Sequence, residues 1–277
     1  MIETPKLDKF LAPTGQCDCD DQKTTSLQSF LMPTKYCNCT NKKVKLLAAQ
    51  ITLGKKNDTE RAVALFYWVR DNIAYTFGSW QKKSSRILKQ GRGMCTNKAV
   101  LLVALLRSIN IPAGFGRMEV LGQEYFGTVT LEEFKPIISK KSVHYFVYIF
   151  LNNSWIKIDP SADISLARKI GYFNPQAELV DWDGKNDAME KIDKKHILRE
   201  DGPLANIDDK LNKKPKRGRR ITMIIGNVYL DFLRSLNIRT KKPKTSELKK
   251  MFEKWLFKKS VVKFFLLKLF LNAKNGK

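Results

Sequence analysis

The chain has 277 residues, is 43% hydrophobic with 16 Phe and 5 Trp, and carries 51 Lys and Arg against 27 Asp and Glu, a net charge of +24. So much apolar material excludes disorder over the whole length and fits one main core with appendages. Residues 210–277 hold 21 basic and 3 acidic side chains, against 30 and 24 in residues 1–209, so the basic character belongs to the tail.

The first fifteen residues contain Glu3, Lys6, Asp8 and Lys9 and no apolar leader core, which predicts a cytoplasmic protein. Residues 7–20, LDKFLAPTGQCDCD, reappear twenty positions later as LQSFLMPTKYCNCT, with seven of fourteen positions identical. This duplication sets 1–43 apart as an N-terminal segment. Its four cysteines, Cys17, Cys19, Cys37 and Cys39, are the number a structural zinc needs. However, Cys-x-Cys is tighter than the usual ligand spacing and no histidine is near. The other reading is a repeated docking segment whose thiols stay reduced.

From Asn57 the pattern turns helical. Asn57 and Glu60 resemble a capping box, and Ala62, Val63, Phe66, Tyr67, Val69 and Ile73 share one face, with Arg61, Arg70 and Asp71 expected outside. Tyr75, Phe77 and Trp80 follow in a loop, and a short helix over 84–89 leads to Gly91-Arg92-Gly93-Met94-Cys95. Behind Cys95, Ala99, Leu102, Val103 and Leu106 recur at helical spacing. The sulfur therefore sits at a helix mouth, where unpaired N–H groups and the helix dipole favour thiolate over thiol. The plain alternative is a small buried side chain, the usual state of a free cysteine.

A strand over 115–121 and a turn-rich stretch with Pro136 precede a change of period to two. Residues 143–151 and 154–158 read as a hairpin turning at Asn152-Asn153. In that register paired residue numbers sum to 305, which makes His144 and Asp159 diagonal neighbours on one face. The other histidine, His196, lies in a charged run and is expected in solvent.

A linker is expected over 201–220, from Asp201-Gly202-Pro203 to the basic run ending in Arg219-Arg220. Residues 221–277 then form a basic helical extension. Its first helix runs through Val228, Phe232 and Leu236, and residues 246–273 carry a stripe of Leu248, Met251, Phe252 and Trp255. The longest apolar run there is 264–267, which excludes a spanning helix of about 20 residues. Lysines set among Phe and Leu suit a helix lying on an anionic membrane surface, a peripheral location. They suit equally a helix docked on the core or on a partner. Nucleic acid ranks third, because the charge would bind it without any recognition module.

Taken together, three blocks resemble the transglutaminase-like superfamily. They are Gly93-x-Cys95 followed by Ala99, Leu101, Leu102, Ala104, Leu105, Leu106, Arg107 and Ile111-Pro112-Ala113, then His144 opening an aromatic strand, then Trp155-x-x-x-Asp159-Pro160. The resemblance covers about 44–162 and implies an α+β, papain-like fold with a catalytic core over 44–200, in which the helix headed by the nucleophile packs on an antiparallel sheet. It further implies Cys95 as nucleophile, His144 as general base and acid, and Asp159 as the group fixing the imidazole, with no cofactor required. The Cys95 N–H is a natural oxyanion donor, with Trp80 or Tyr75 as side-chain candidates. No carboxylate cluster suggests the calcium sites of animal cross-linking enzymes. The implied activity is acyl transfer from peptide or amide bonds of a protein or peptide substrate, as a peptidase or amidase or as a cross-linking transglutaminase. The alternative is a non-catalytic scaffold of this fold, tethered to anionic membrane by its tail.

Overall fold

A computed structural model describes residues 27–127, 130–173, 179–213, 219–236, 245–260 and 267. Its centre is helix α4 (Cys95–Ser108), in which every residue from Cys95 to Arg107 is buried. Helices α1 (Lys42–Thr52), α2 (Asp58–Asn72) and α3 (Ser84–Gln90) cover one side of it, and a four-stranded antiparallel sheet covers the other. A helix enclosed in this way is apolar around its whole circumference, which is why Val100, Leu101, Ala104 and Leu105 are as buried as the one face expected from the sequence.

The sheet order is β5 (Ser154–Ile158), β4 (Lys141–Leu151), β3 (Ala113–Leu121) and β6 (Ile197–Leu204). The β4–β5 hairpin has the register read from the sequence, Leu151 opposite Ser154 and Val147 opposite Ile158. Asn152 and Asn153 both take positive φ (49° and 61°), as a two-residue hairpin turn requires. Strand β6 is a correction to the linker expected from Asp201. Residues 201–204 pair with β3, and Ile207 and Leu211 beyond them enter the core. A strand reading ILREDGPL has no clean alternation and contains a Gly-Pro pair, but an edge strand tolerates both.

The cap of α2 forms as expected, with Asn57 Oδ1 accepting the Glu60 N–H at 2.9 Å. Arg70 does not lie outside. It is 4% exposed and donates to the Val180 carbonyl (2.8 Å) and to the exposed Asp181 (2.7 Å), so a buried guanidinium reaches out to a carboxylate at the surface. Helix α1, absent from the sequence reading, has Val44 and Ala48 buried.

The N-terminal segment is not separate from the core either. Phe30 packs edge-on against Trp155 (centroids 4.7 Å apart), Cys37 and Cys39 are buried in the main core, and Asp208 accepts from Thr34 Oγ1 (3.1 Å) and the Lys35 N–H (2.8 Å). Arg107 ties this segment down, donating to the carbonyls of Met32, Ala113 and Ala205. Within 27–40, the exposed Gln28, Met32, Lys35 and Thr40 differ between the two copies of the duplication, while the exposed Pro33 is shared. Of the buried residues, Phe30, Cys37 and Cys39 are shared and Tyr36 is not. The copy over 7–20, with Cys17 and Cys19, lies outside the described residues.

After the shorter helices α5 (Gly122–Gly127), α6 (Ile164–Phe173) and α7 (Asp208–Leu211), helices α8 (Arg219–Ser235) and α9 (Thr245–Lys259) build a second core around Phe232, Phe252, Leu248 and Leu256, joined by Leu131, Phe134 and Leu166. The inner stripe of α9 is therefore docked, while Lys250, Met251, Lys254, Phe257 and Lys258 face outward. The rest of 246–273, Ser260 and Leu267 apart, lies outside the described residues. No helix among the described residues is long and apolar enough to cross a membrane.

Candidate active site

The approach to Cys95 is set by a short backbone device. Helix α3 ends on Gly91 in the left-handed region (φ 60°), and Arg92–Gly93 (β2) then pairs in parallel with Ala74–Tyr75 (β1). A β-carbon on Gly93 would lie 2.5 Å from that of Asn97, so the chain passes there only as glycine. Asn97 uses both ends of its amide at this corner. Its Oδ1 accepts the Met94 N–H (3.2 Å) and its Nδ2 donates to the Trp80 carbonyl (3.2 Å). Cys95 follows as the first residue of α4, where the first N–H groups lack partners within the helix. It is 5% exposed.

His144 stands on β4 and Asp159 directly follows β5. Their diagonal placement brings His144 Nε2 to 2.7 Å from Asp159 Oδ2, with both side chains buried. Cys95 also acts on the same imidazole and helps to raise its pKa, and with Nε2 committed to Asp159, Nδ1 is the nitrogen left for sulfur. The other Asp159 oxygen accepts the Ser161 N–H (3.0 Å), and the Asp159 N–H donates to the Ala188 carbonyl (2.9 Å). Burial would push the imidazole pKa down, but the charge and hydrogen bond of Asp159, helped by Cys95, outweigh it and hold His144 well above its ordinary value. Burial likewise opposes ionised Asp159, and the charge of His144 and its hydrogen bonds overcome it to keep the carboxyl below the usual range. Sulfur, imidazole and carboxylate in series are the parts that nucleophilic acyl transfer requires.

Three groups at or beside this site escaped the sequence reading. The Tyr125 ring lies 5.8 Å from the imidazole, and its hydroxyl donates to Glu190. Glu190 is held above the usual carboxylate range by burial and by the Asp159 charge. Lys98, completely buried one turn beyond Cys95, donates to the carbonyls of Arg70 (3.0 Å) and Ile73 (2.8 Å) at the end of α2. Burial pulls its ammonium down to about 7 against the opposing pull of Asp163, Asp159, Asp71 and Glu190. None carries a sequence signal, because each gains its meaning from a distant segment. One donor atom each from His144, Asp159 and Glu190 fall within 4.8 Å of one another, close enough for a cation, but a metal there would have to displace the existing imidazole–carboxylate pair.

The side-chain oxyanion candidates fare differently. Trp80 is corrected: its ring N–H donates to the Leu211 carbonyl at 2.9 Å and is committed away from the sulfur. Tyr75 pairs with Gly93 two residues before Cys95, so it stands at the rim. Its N–H donates to Asp163 (2.6 Å) and its carbonyl accepts from Arg234 (2.8 Å) of α8. Phe77 is fastened to α8 in the same way, with Asn227 accepting its N–H (2.8 Å) and donating to its carbonyl (2.9 Å). The basic extension thus borders the site. Cys37 and Cys39 belong to the opposite end of α4, near Arg107, about 18 Å along the helix axis from Cys95. There the hydrogen bond with Cys37 brings Cys39 down to about 7, while burial pushes Cys37 up. His196 is half-buried on its short turn and takes no part in the site.

Residues 45–160 match the sequence profile of the transglutaminase-like superfamily. No curated protein matches the chain. Similar solved structures include a presumed cysteine protease from Cytophaga hutchinsonii, 23% identical over 48% of this chain and 41% of its own, with a TM-score of 0.38. A presumed protease from Parabacteroides distasonis is 14% identical over 49% of this chain and 25% of its own (TM-score 0.33). Red sea bream transglutaminase is 12% identical over 67% and 31% (TM-score 0.33). The chain therefore spans about two fifths or less of the length of these proteins.

Proposed function

We propose, from the match of residues 45–160 to the transglutaminase-like superfamily profile, that the chain is a cysteine-dependent acyl-transfer enzyme acting on peptide or amide bonds. The observation that carries this reading is the buried His144–Asp159 pair with the Cys95 sulfur at the imidazole. In the proposed reaction the Cys95 sulfur attacks a carbonyl carbon while its proton passes to His144. Asp159 stabilises the resulting imidazolium, and the oxyanion meets the Cys95 N–H, with the Tyr75 hydroxyl as side-chain candidate. His144 then gives the proton to the departing amine, leaving a thioester. Water activated by His144 releases the acid and restores the thiol. An amine in place of water would give cross-linking, and the constant supply of water favours hydrolysis. No step draws on a cofactor, and a structural zinc at the four N-terminal cysteines is a separate question.

The test is a trap. After incubation with a broad peptide mixture and acid quenching, the peptide containing Cys95 is expected to carry an acyl mass that hydroxylamine removes. Added primary amine then separates the two acceptors. No such mass and no released amine across the mixture would sink the reading.

A peripheral, cytoplasmic-face membrane contact is a second proposal, from the outward face of α9, where Met251 and Phe257 sit among Lys250, Lys254 and Lys258. The same contact would serve the alternative, a non-catalytic scaffold tethered to the membrane. The full chain is expected to co-sediment with vesicles containing phosphatidylserine, and Met251→Ser with Phe257→Ser to lower that binding severalfold. Equal recovery on neutral phosphatidylcholine vesicles would remove the membrane reading.

A further inference from the structure

Two carboxyl groups, the buried Asp159 and the half-buried Glu190, lie within 4.8 Å of one imidazole nitrogen in this site, and the acyl-transfer reading uses only Asp159. The second, Glu190, is placed by backbone: Ala188 bridges to Ile158, and its N–H donates to the Lys157 carbonyl (2.8 Å), which brings the segment alongside the end of β5. Tyr125, from α5 (Gly122–Gly127), then holds the carboxyl through its hydroxyl. Carboxylates within 4.8 Å of each other cannot both ionise cheaply. Asp159 has the imidazole as its partner at 2.7 Å, so the proton belongs on Glu190.

We propose that Glu190 is a positioning residue for the reaction proposed above, facing the His144–Asp159 pair as an uncharged carboxyl whose proton keeps a second anion away from the imidazole. The groups that face Glu190 are Asp159 after β5, His144 on β4, Tyr125 on α5 and Lys98 on α4. Once Glu190 loses its proton, the extra negative charge binds the imidazolium proton more tightly. His144 then gives that proton less readily to a departing amine, so turnover falls as Glu190 ionises.

The chain contains two histidines, so imidazole NMR titration of the ¹⁵N-histidine-labelled protein reads the effect directly, with His196 as internal control. The wild-type His144 signal is expected to move in two steps, one its own and one from Glu190. Glu190→Gln should leave a single step, centred lower by about one pH unit or more, with His196 unmoved and the circular dichroism unchanged. Tyr125→Phe removes a donor that favours the ionised carboxyl, so the Glu190 step should shift to higher pH. That second variant keeps the test open if Glu190→Gln does not fold. A His144 titration identical in wild type and Glu190→Gln, or a Glu190 step that stays in place in Tyr125→Phe, overturns the proposal. The readout needs no turnover. A failed substrate trap with a two-step titration counts against the acyl-transfer reading alone, and a working trap with an unchanged titration counts against Glu190 alone.

Discussion

Replacing Cys95 with alanine is expected to remove labelling of the fastest-reacting thiol by iodoacetamide and to lower any amide-bond turnover by about 10⁴-fold or more. The reason is the lack of a substitute. Of the other described cysteines, Cys37 and Cys39 lie at the far end of α4 inside the main core, where neither can meet His144. Folding should survive, since the change shortens one small side chain at the start of a helix whose buried length supplies the packing. A melting temperature within a few degrees of wild type, measured beside the activity, separates lost chemistry from lost structure. Turnover comparable to wild type in that variant would show that the sulfur is not the nucleophile.

Asp159→Asn should cost about 10²- to 10⁴-fold in turnover while sparing the outline of the site. The amide can still meet Nε2, but it carries no charge, and the charge of Asp159 is what holds the imidazole proton against burial. His144 in this variant should therefore lose its proton at lower pH, and alkylation of Cys95 at neutral pH should slow. Stability changes in a defined window. The His144 proton is bound more tightly in the folded chain, so its contribution is present below about 6.5 and fades as pH rises through the raised folded value. The Asp159 contribution is present above about 4 and fades as pH falls through its lowered folded value. The pair thus supports the fold most between those limits, and Asp159→Asn should lower the denaturant midpoint there while losing this effect in strong acid. An unchanged midpoint near pH 5.5 together with unchanged alkylation would mean that the pair is ornamental.

Much of this molecule is legible in local chemistry. The two asparagines of the β4–β5 turn impose the hairpin, the hairpin imposes the register, and the register alone places His144 diagonal to Asp159. Gly93, Met94 and Cys95 likewise read as an entry to a helix, from two glycines in three residues ahead of an apolar run at helical spacing, and the close approach of Asn97 explains why Gly93 has no side chain. Where periodicity was weak the reading failed. Edge strand β6 looked like a linker, Arg70 looked exposed, and Trp80 looked available although its N–H is spent on Leu211. In each case the deciding partner lies far along the chain.

The order of the chemical groups and the local geometry that presents them are written in the chain: a cysteine at a helix mouth, an imidazole and a carboxylate on one face of a hairpin, and a basic tail. Which distant groups share the site follows from how whole elements pack. Tyr125 and Glu190 reach His144 across the sheet, Lys98 joins α4 to the end of α2, and α8 grips the rim through Asn227 and Arg234. The physical reason is that hairpin and helix geometry repeat over a few residues and leave a pattern. A contact between positions 125 and 190 arises from packing of whole elements and leaves none.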